Sequence, residues 1–265
     1  MATNLSHPKI ITEDDHLIAV IKPAGLPTAN AARGMPSVFT ILQHSRPAGA
    51  FLGVVSRLDA PVSGVLVMAK TRPAAADLSR QFRERLVEKT YVAIVEGRFP
   101  APLGEWIDWH DRIERRGEER RSRLLPPVGA AGMSPADDEA EDEDISGGEC
   151  HVRARVVTRL GEVSLVELVP STGRRHQLRA QLAGRRCPIV GDKAYGARLP
   201  FAGAPGYAAA IALHARSLGF IHPGTGRAVV LEATWPPTWS ARFPTLAQPS
   251  SPAQGRNRQP NKGSG

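Results

Sequence analysis

Cysteine is scarce in this 265-residue chain: Cys150 and Cys187 stand alone, with no CxxC pair and no Cys or His at ligand spacing beside them. That excludes a disulfide framework and a structural zinc, and reduced thiols are the expectation. Long apolar runs are missing as well. No stretch approaches the roughly 18 apolar residues that cross a bilayer, and residues 1–9 lack the charged-then-apolar layout of a secretory signal. The expected compartment is the cytoplasm. The eight histidines follow no regular ligand spacing, which argues against a metal site. A basic amphipathic helix with a large aromatic or leucine face is also absent, so a membrane surface is a poor partner.

What is present is enough apolar content, 42%, for a substantial core, in a length that suits one large domain or two small ones. The net charge is +8, and residues 137–144 alone hold seven acids; without them the remainder would carry +15. Such a surplus of Lys and Arg points to an anionic partner, RNA or DNA first, because neutralising phosphates drives association.

Along the chain, Ile10-Ile11 and residues 17–21 read as short strands around an acidic turn, closed by Lys22-Pro23-Ala24-Gly25. Residues 30–34 form a small polar loop and residues 38–42 turn helical. Pro73 pre-sets the first turn of a helix whose Ala75, Leu78, Phe82 and Leu86 share one face. Residues 87–96 follow as a strand that places Lys89, Tyr91, Ala93 and Val95 on one side. Residues 106–123 are dense in arginine and read either as a hairpin on RNA phosphates or as a solvated ribbon. The Pro-, Gly- and acid-rich insertion at about 126–148 and the polar tail cannot bury enough apolar surface to offset their ordering entropy. His151, Arg153 and Arg155 alternate with apolar residues as a strand with one basic face, paired with residues 165–169. Residues 213–221 and 228–233 flank a turn as a hairpin.

Two stretches carry chemistry. Residues 54–71 read as strand, site, turn and strand, with Arg57 and Asp59 on the same side of an extended segment. On the charges alone, a structural ion pair is the more economical reading. Residues 174–183 read as a helix stopped by Gly184, with His176 and Arg179 on one face and with Arg174, Arg175, His176 and Gln177 at its start, a set suited to phosphate or carboxylate.

Taken in order, several segments resemble the RluA-type pseudouridine synthases. They are residues 13–26, Arg57-Leu58-Asp59 with Ser63-Gly64, Lys89-Thr90-Tyr91 with Glu96-Gly97, and residues 173–179 with 189–192 and Tyr195-Gly196; Leu213-His214-Ala215 fits too. The resemblance spans residues 10–236 and implies an α+β fold: a single catalytic domain on a long, bent, mostly antiparallel mixed sheet with flanking helices and a central cleft. It implies a flexible segment 1–9, a catalytic domain over 10–240 holding the insertion, a flexible basic tail over 241–265, and no accessory RNA-binding domain ahead of the first strand. It further implies isomerisation of uridine to pseudouridine in structured ribosomal or transfer RNA by a monomer, without metal or organic cofactor. By matching position, Asp59 is the essential aspartate, Tyr91 the active-site tyrosine and Arg179 the basic partner of that aspartate. Arg57 is the arginine that displaces the target base, and Leu178 an apolar pocket residue. Ser56 and Ala60-Pro61-Val62-Ser63 depart from the family pattern, and Val62 removes a hydroxyl from the surroundings of Asp59. A catalytically silent RNA-binding protein or folding chaperone on the same scaffold is the alternative. A glycoside hydrolase ranks last, because no second acid is paired with Asp59 in these segments.

Overall fold

The computed structural model of the chain describes residues 8–31, 35–114, 121–125, 148–202 and 210–246. The polar loop, the acidic insertion and the tail expected from the sequence lie mostly outside them. Eleven strands form one mixed sheet. They are β1 (Lys9–Glu13), β2 (Leu17–Lys22), β3 (Gly53–Val54), β4 (Ser63–Ala69), β5 (Glu88–Glu96), β6 (Trp106–Glu114), β7 (Arg123–Leu124), β8 (Gly148–Leu160), β9 (Val163–Pro170), β10 (Leu213–Ile221) and β11 (Ala228–Glu232). The order is β1-β2-β4-β10-β5-β9-β8-β6-β7, with β3 on β4 and β11 on β10. Among the strand pairs of the described residues only β4–β10 is parallel; the other strand pairs of this single domain are antiparallel, as the resemblance implies.

Local chemistry explains the helices. Ser37 and Thr40 close a reciprocal capping box on α1 (Val38–His44). Thr71 caps α2 (Arg72–Arg83), with Pro73 in its first turn. The apolar stripe of α2 ends sooner than its spacing predicts. Arg85 adopts a left-handed φ of 60°, the helix stops at Arg83, and Leu86 is solvent-exposed instead of packed. The third helix, α3, spans Gln177–Gly184, and a short α4 (Pro237–Arg242) lays the buried Trp239 beside Trp235.

The strands alternate as expected where one face is wet: along β8, Cys150, Val152, Ala154 and Val156 are buried while Arg153 is exposed. β4 is buried along its whole length, as its unbroken apolar run requires.

One pairing places the site. β4 and β10 share only two residue pairs, His214 with Ser63 and Ala215 with Gly64. Gly64 has φ 126°, and a Cβ there would lie 2.3 Å from the Ala215 carbonyl oxygen, so only glycine permits the contact. Beside it, the Ser63 hydroxyl and the fully buried His214 Nδ1 are 2.8 Å apart. The loop that carries Asp59 is therefore delivered to the middle of the sheet by a glycine-dependent backbone contact.

Candidate active site

Where β4, β5 and β10 meet, a cleft of about 690 Å³ opens; Arg57, Asp59, Tyr91, Leu178 and Arg179 line it. Asp59 sits in the irregular segment between β3 and β4, not in the extended strand expected there. Two anchors hold that segment from behind. The Thr28 hydroxyl donates to the Leu58 carbonyl at 2.8 Å and accepts the Leu58 N–H at 3.1 Å. The wholly buried Lys22 donates to the carbonyls of Pro23, Leu26 and Ala60 at 3.0, 2.6 and 2.9 Å. Burial pushes the Lys22 amine down to about 7 against the opposing pull of the Asp59 charge.

The partner of Asp59 is Arg179, whose Nη1 donates to Oδ2 at 3.1 Å. Arg179 is 7% exposed, and its remaining donors grip the buried Asp192 through two bonds of 2.7 and 2.9 Å. Burial opposes its charge, but Asp192 and then Asp59 outweigh that cost and hold the guanidinium more firmly protonated than usual. His176 Nε2 stands 3.5 Å from the same Oδ2. Arg57 does not join them. It is exposed on the cleft wall, and among the described residues the ion-pair partners of Asp59 are Arg179 and His176. The turn at Ala60-Pro61 and the Thr28 clamp replace the strand geometry that would have put Arg57 alongside Asp59.

Tyr91 comes from β5, paired with Ala215 of β10 and Leu168 of β9. Burial, and then the Asp59 charge, push its phenol up to about 12, so at neutral pH it is a donor with an aromatic face. Two residues along, Lys89 donates to the Thr172 carbonyl at 3.1 Å. Its amine is lowered by burial and then by Arg85.

The basic stretch before α3 departs from expectation. The helix begins at Gln177, and Arg174, Arg175 and His176 form the turn leading into it. His176 takes a left-handed φ of 54° and so cannot extend the helix backward. Arg174 and Arg175 are exposed, and Arg174, His176, Gln177 and Leu178 lie in the cleft wall. The Gln177 amide already has partners: it accepts from the Thr172 hydroxyl at 2.8 Å and from the Arg174 N–H at 3.1 Å, and donates to the His151 carbonyl at 3.1 Å. Gly184 closes the helix and also lets it approach β7, since a Cβ there would fall 2.3 Å from Leu124.

Sequence reasoning assigned no role to Lys22, Asp192 or Tyr195. The signals were a lysine that closes an apolar run, and an Asp and a Tyr beside glycines after a buried turn. Val62, the departure from the family pattern, is 3% exposed and packs in the main core. Among the described residues no group of three or more His, Cys, Asp or Glu is placed to hold a metal, and no helix is long and apolar enough to cross a membrane.

The arrangement offers an anchored carboxylate, an aromatic hydroxyl and an apolar wall inside a cation-rimmed cleft. The family described as RNA pseudouridylate synthase matches residues 16–184. The tRNA pseudouridine synthase C of Yersinia pestis is 32% identical over 239 residues, covering 87% of this chain and 88% of that protein. The ribosomal large subunit pseudouridine synthase C of Escherichia coli K12 is 32% identical over 229 residues, covering 84% of this chain and 65% of that protein. Among solved structures, human RNA pseudouridylate synthase domain containing 4 superposes with a TM-score of 0.66 at 25% identity, covering 89% of this chain and 93% of that one. From fold, cleft and relatives together, the chain belongs to the RluA-type RNA pseudouridine synthases, enzymes that isomerise uridine in RNA to pseudouridine.

Proposed function

We propose that this enzyme modifies uridine in ribosomal or transfer RNA, with Asp59 as the reacting carboxylate, Arg179 as its fixed counter-charge and Tyr91 against the uracil ring. The observation that carries this reading is the chain Asp192–Arg179–Asp59 at the floor of the cleft. Arg179 cannot turn away, because its other donors are held by a carboxylate that is 2% exposed. The volume lies within the roughly 300–1,000 Å³ typical of small-ligand sites, which suits a single extruded nucleotide and not a duplex. Extrusion costs about a few kcal/mol of lost stacking and pairing. The unpaired Arg57 supplies the wedge, and Arg174 and Arg175 the phosphate contacts.

Isomerisation breaks the bond from ribose C1′ to uracil N1, forms one from C1′ to C5, and leaves the C5 proton lost and N1 protonated. No redox partner is needed. Leu178 would wall the detached base, and the protonated Tyr91 hydroxyl, which lines the same cleft, would pass the proton. The relatives named for both transfer and ribosomal RNA support either substrate. We take it to act as a cytoplasmic monomer. Mapping pseudouridine in ribosomal and transfer RNA from cells with and without the gene tests the proposal. One or more positions should revert to uridine and be restored by the wild-type protein but not by Asp59→Asn. Identical maps would overturn it.

A further inference from the structure

Among the described residues, both side-chain contacts to Asp59 fall on one oxygen. Arg179 Nη1 is 3.1 Å from Oδ2 and His176 Nε2 is 3.5 Å from it, while Oδ1 has no donor within hydrogen-bond distance there. The histidine does not reach that place by default. Its left-handed backbone, its N-cap position and a side chain only 12% exposed leave the ring one direction. The far side of the ring is fixed by Tyr195, whose hydroxyl is 3.0 Å from Nδ1. Tyr195 is itself held: its ring lies under the Arg179 guanidinium at 4.8 Å, and its hydroxyl accepts the Ser122 N–H at 2.9 Å. The Ser122 hydroxyl in turn donates to the Arg175 carbonyl at 2.8 Å.

The carboxylate selects the tautomer. The Tyr195 hydroxyl has two acceptors in reach, Nδ1 at 3.0 Å and the Ser122 carbonyl at 3.3 Å, so it serves either form of the ring. A ring proton on Nε2 faces the carboxylate. The other tautomer would aim a lone pair at an anion.

We propose that His176 is a positioning residue: its Nε2–H and Arg179 together hold Oδ2 of Asp59, leaving Oδ1 as the oxygen that reacts, and Tyr195 with the Ser122 segment before β7 sets the aim of the imidazole. The proposal rests on Asp59 being the reacting group. Burial lowers the histidine's proton affinity ahead of the opposing effect of Asp59, so at neutral pH the ring donates without adding a second cation. The 3.5 Å separation is at the outer edge of a hydrogen bond, as catalytic contacts often are before substrate arrives.

Two substitutions separate aiming from mere structure. His176→Asn tolerates the left-handed backbone and keeps an amide beside Tyr195, but cannot reach Asp59. His176→Gln reaches the Nε2 position with an N–H donor. With unmodified ribosomal and transfer RNA transcripts carrying [5-³H]uridine, single-turnover tritium release at saturating enzyme should fall about 10- to 100-fold for Asn and only about threefold for Gln, the scale of one hydrogen bond to a charged group. RNA affinity should stay within about twofold for both. Tyr195→Phe keeps the ring under Arg179 and loses the hydroxyl; its rate should fall several-fold at unchanged affinity. A wild-type rate for Asn, equal impairment of Gln and Asn, or a wild-type rate for Tyr195→Phe would overturn the proposal. Asp59→Asn, measured alongside, keeps the two readings apart. If it turns over, the role of Asp59 itself fails; if it is inactive while His176→Asn is unaffected, only the histidine's role fails.

Discussion

Asp59 and Asp192 share Arg179, yet the two carboxylates do different work. Asp59 is 29% exposed at its side chain and faces the cleft, whereas Asp192 is 2% exposed and grips two guanidinium donors. Removing Asp192 strands a buried cation, so Asp192→Ala should destabilise the fold by about 3 kcal/mol or more, read from a denaturant midpoint. Asp59→Asn leaves Arg179 paired with Asp192. It should therefore stay folded, bind RNA within about threefold of wild type, and lose turnover by roughly 10⁴-fold or more, the scale on which removing a reacting group is felt. Retained turnover would remove Asp59 from the chemistry. His214 gives a pH-dependent readout. Burial pushes its imidazole down to about 4, first among the causes, from an ordinary 6.5. The unfolded chain thus takes up a proton in a window where the folded one does not. Stability is full above about pH 6.5 and declines as pH falls toward 4, by an amount on the order of 3 kcal/mol from this residue. Denaturation of wild type and His214→Gln at pH 7 and pH 4.5 should show that part of the loss in wild type alone.

At the scale of elements, the site depends on a few close backbone approaches. Gly64 lets β4 meet β10 where the Asp59 loop ends, and both its φ and the neighbouring Ala215 backbone forbid a side chain. Gly64→Ala should cost more than about 2 kcal/mol, combining left-handed strain with an unrelieved clash, and should lower activity even where the protein remains folded. A stability within error of wild type would mean that β10 shifts freely, and the contact would lose its role in placing Asp59. The Ser122 segment is a second such element. It joins β7 to the turn before α3 through Tyr195 and the Arg175 carbonyl, on the side of that turn that faces Asp59.

Across the whole molecule, a charge of +8 needs apportioning. Arg153 and Arg155 flank the Trp106 ring at 4.9 and 4.6 Å, and Arg155 is paired with Glu167. The cleft arginines Arg57 and Arg174 have no such carboxylate among the described residues. RNA affinity should fall steeply with salt, and Arg174→Ala should flatten the slope of log affinity against log salt by about 0.7 to 0.9, one phosphate contact. Arg155→Ala should leave that slope unchanged, because its charge is already compensated. Filter binding from low to moderate salt would test both; equal slopes for all three proteins would place the phosphate contacts elsewhere.

Alternation, capping and turn residues made most of the strands legible in order, together with the first two helices, because those signals act over a few residues. The ordered motifs likewise marked Asp59, Tyr91 and Arg179, which the fold brings to one cleft. Three features needed the tertiary structure. Arg57 stands apart from Asp59, since Thr28, thirty residues earlier in the chain, clamps the loop out of strand geometry. Lys22 is a buried bolt, since its three carbonyl partners include one in the turn before β4, at Ala60, 38 residues along the chain. His176 faces the carboxylate because its left-handed backbone and Tyr195 aim it, where helical periodicity had placed it at the start of the helix, on one face with Arg179. Local pattern determined which segments form and which residue types carry the chemistry. Which oxygen of Asp59 is held was decided only by side chains that meet from distant parts of the chain.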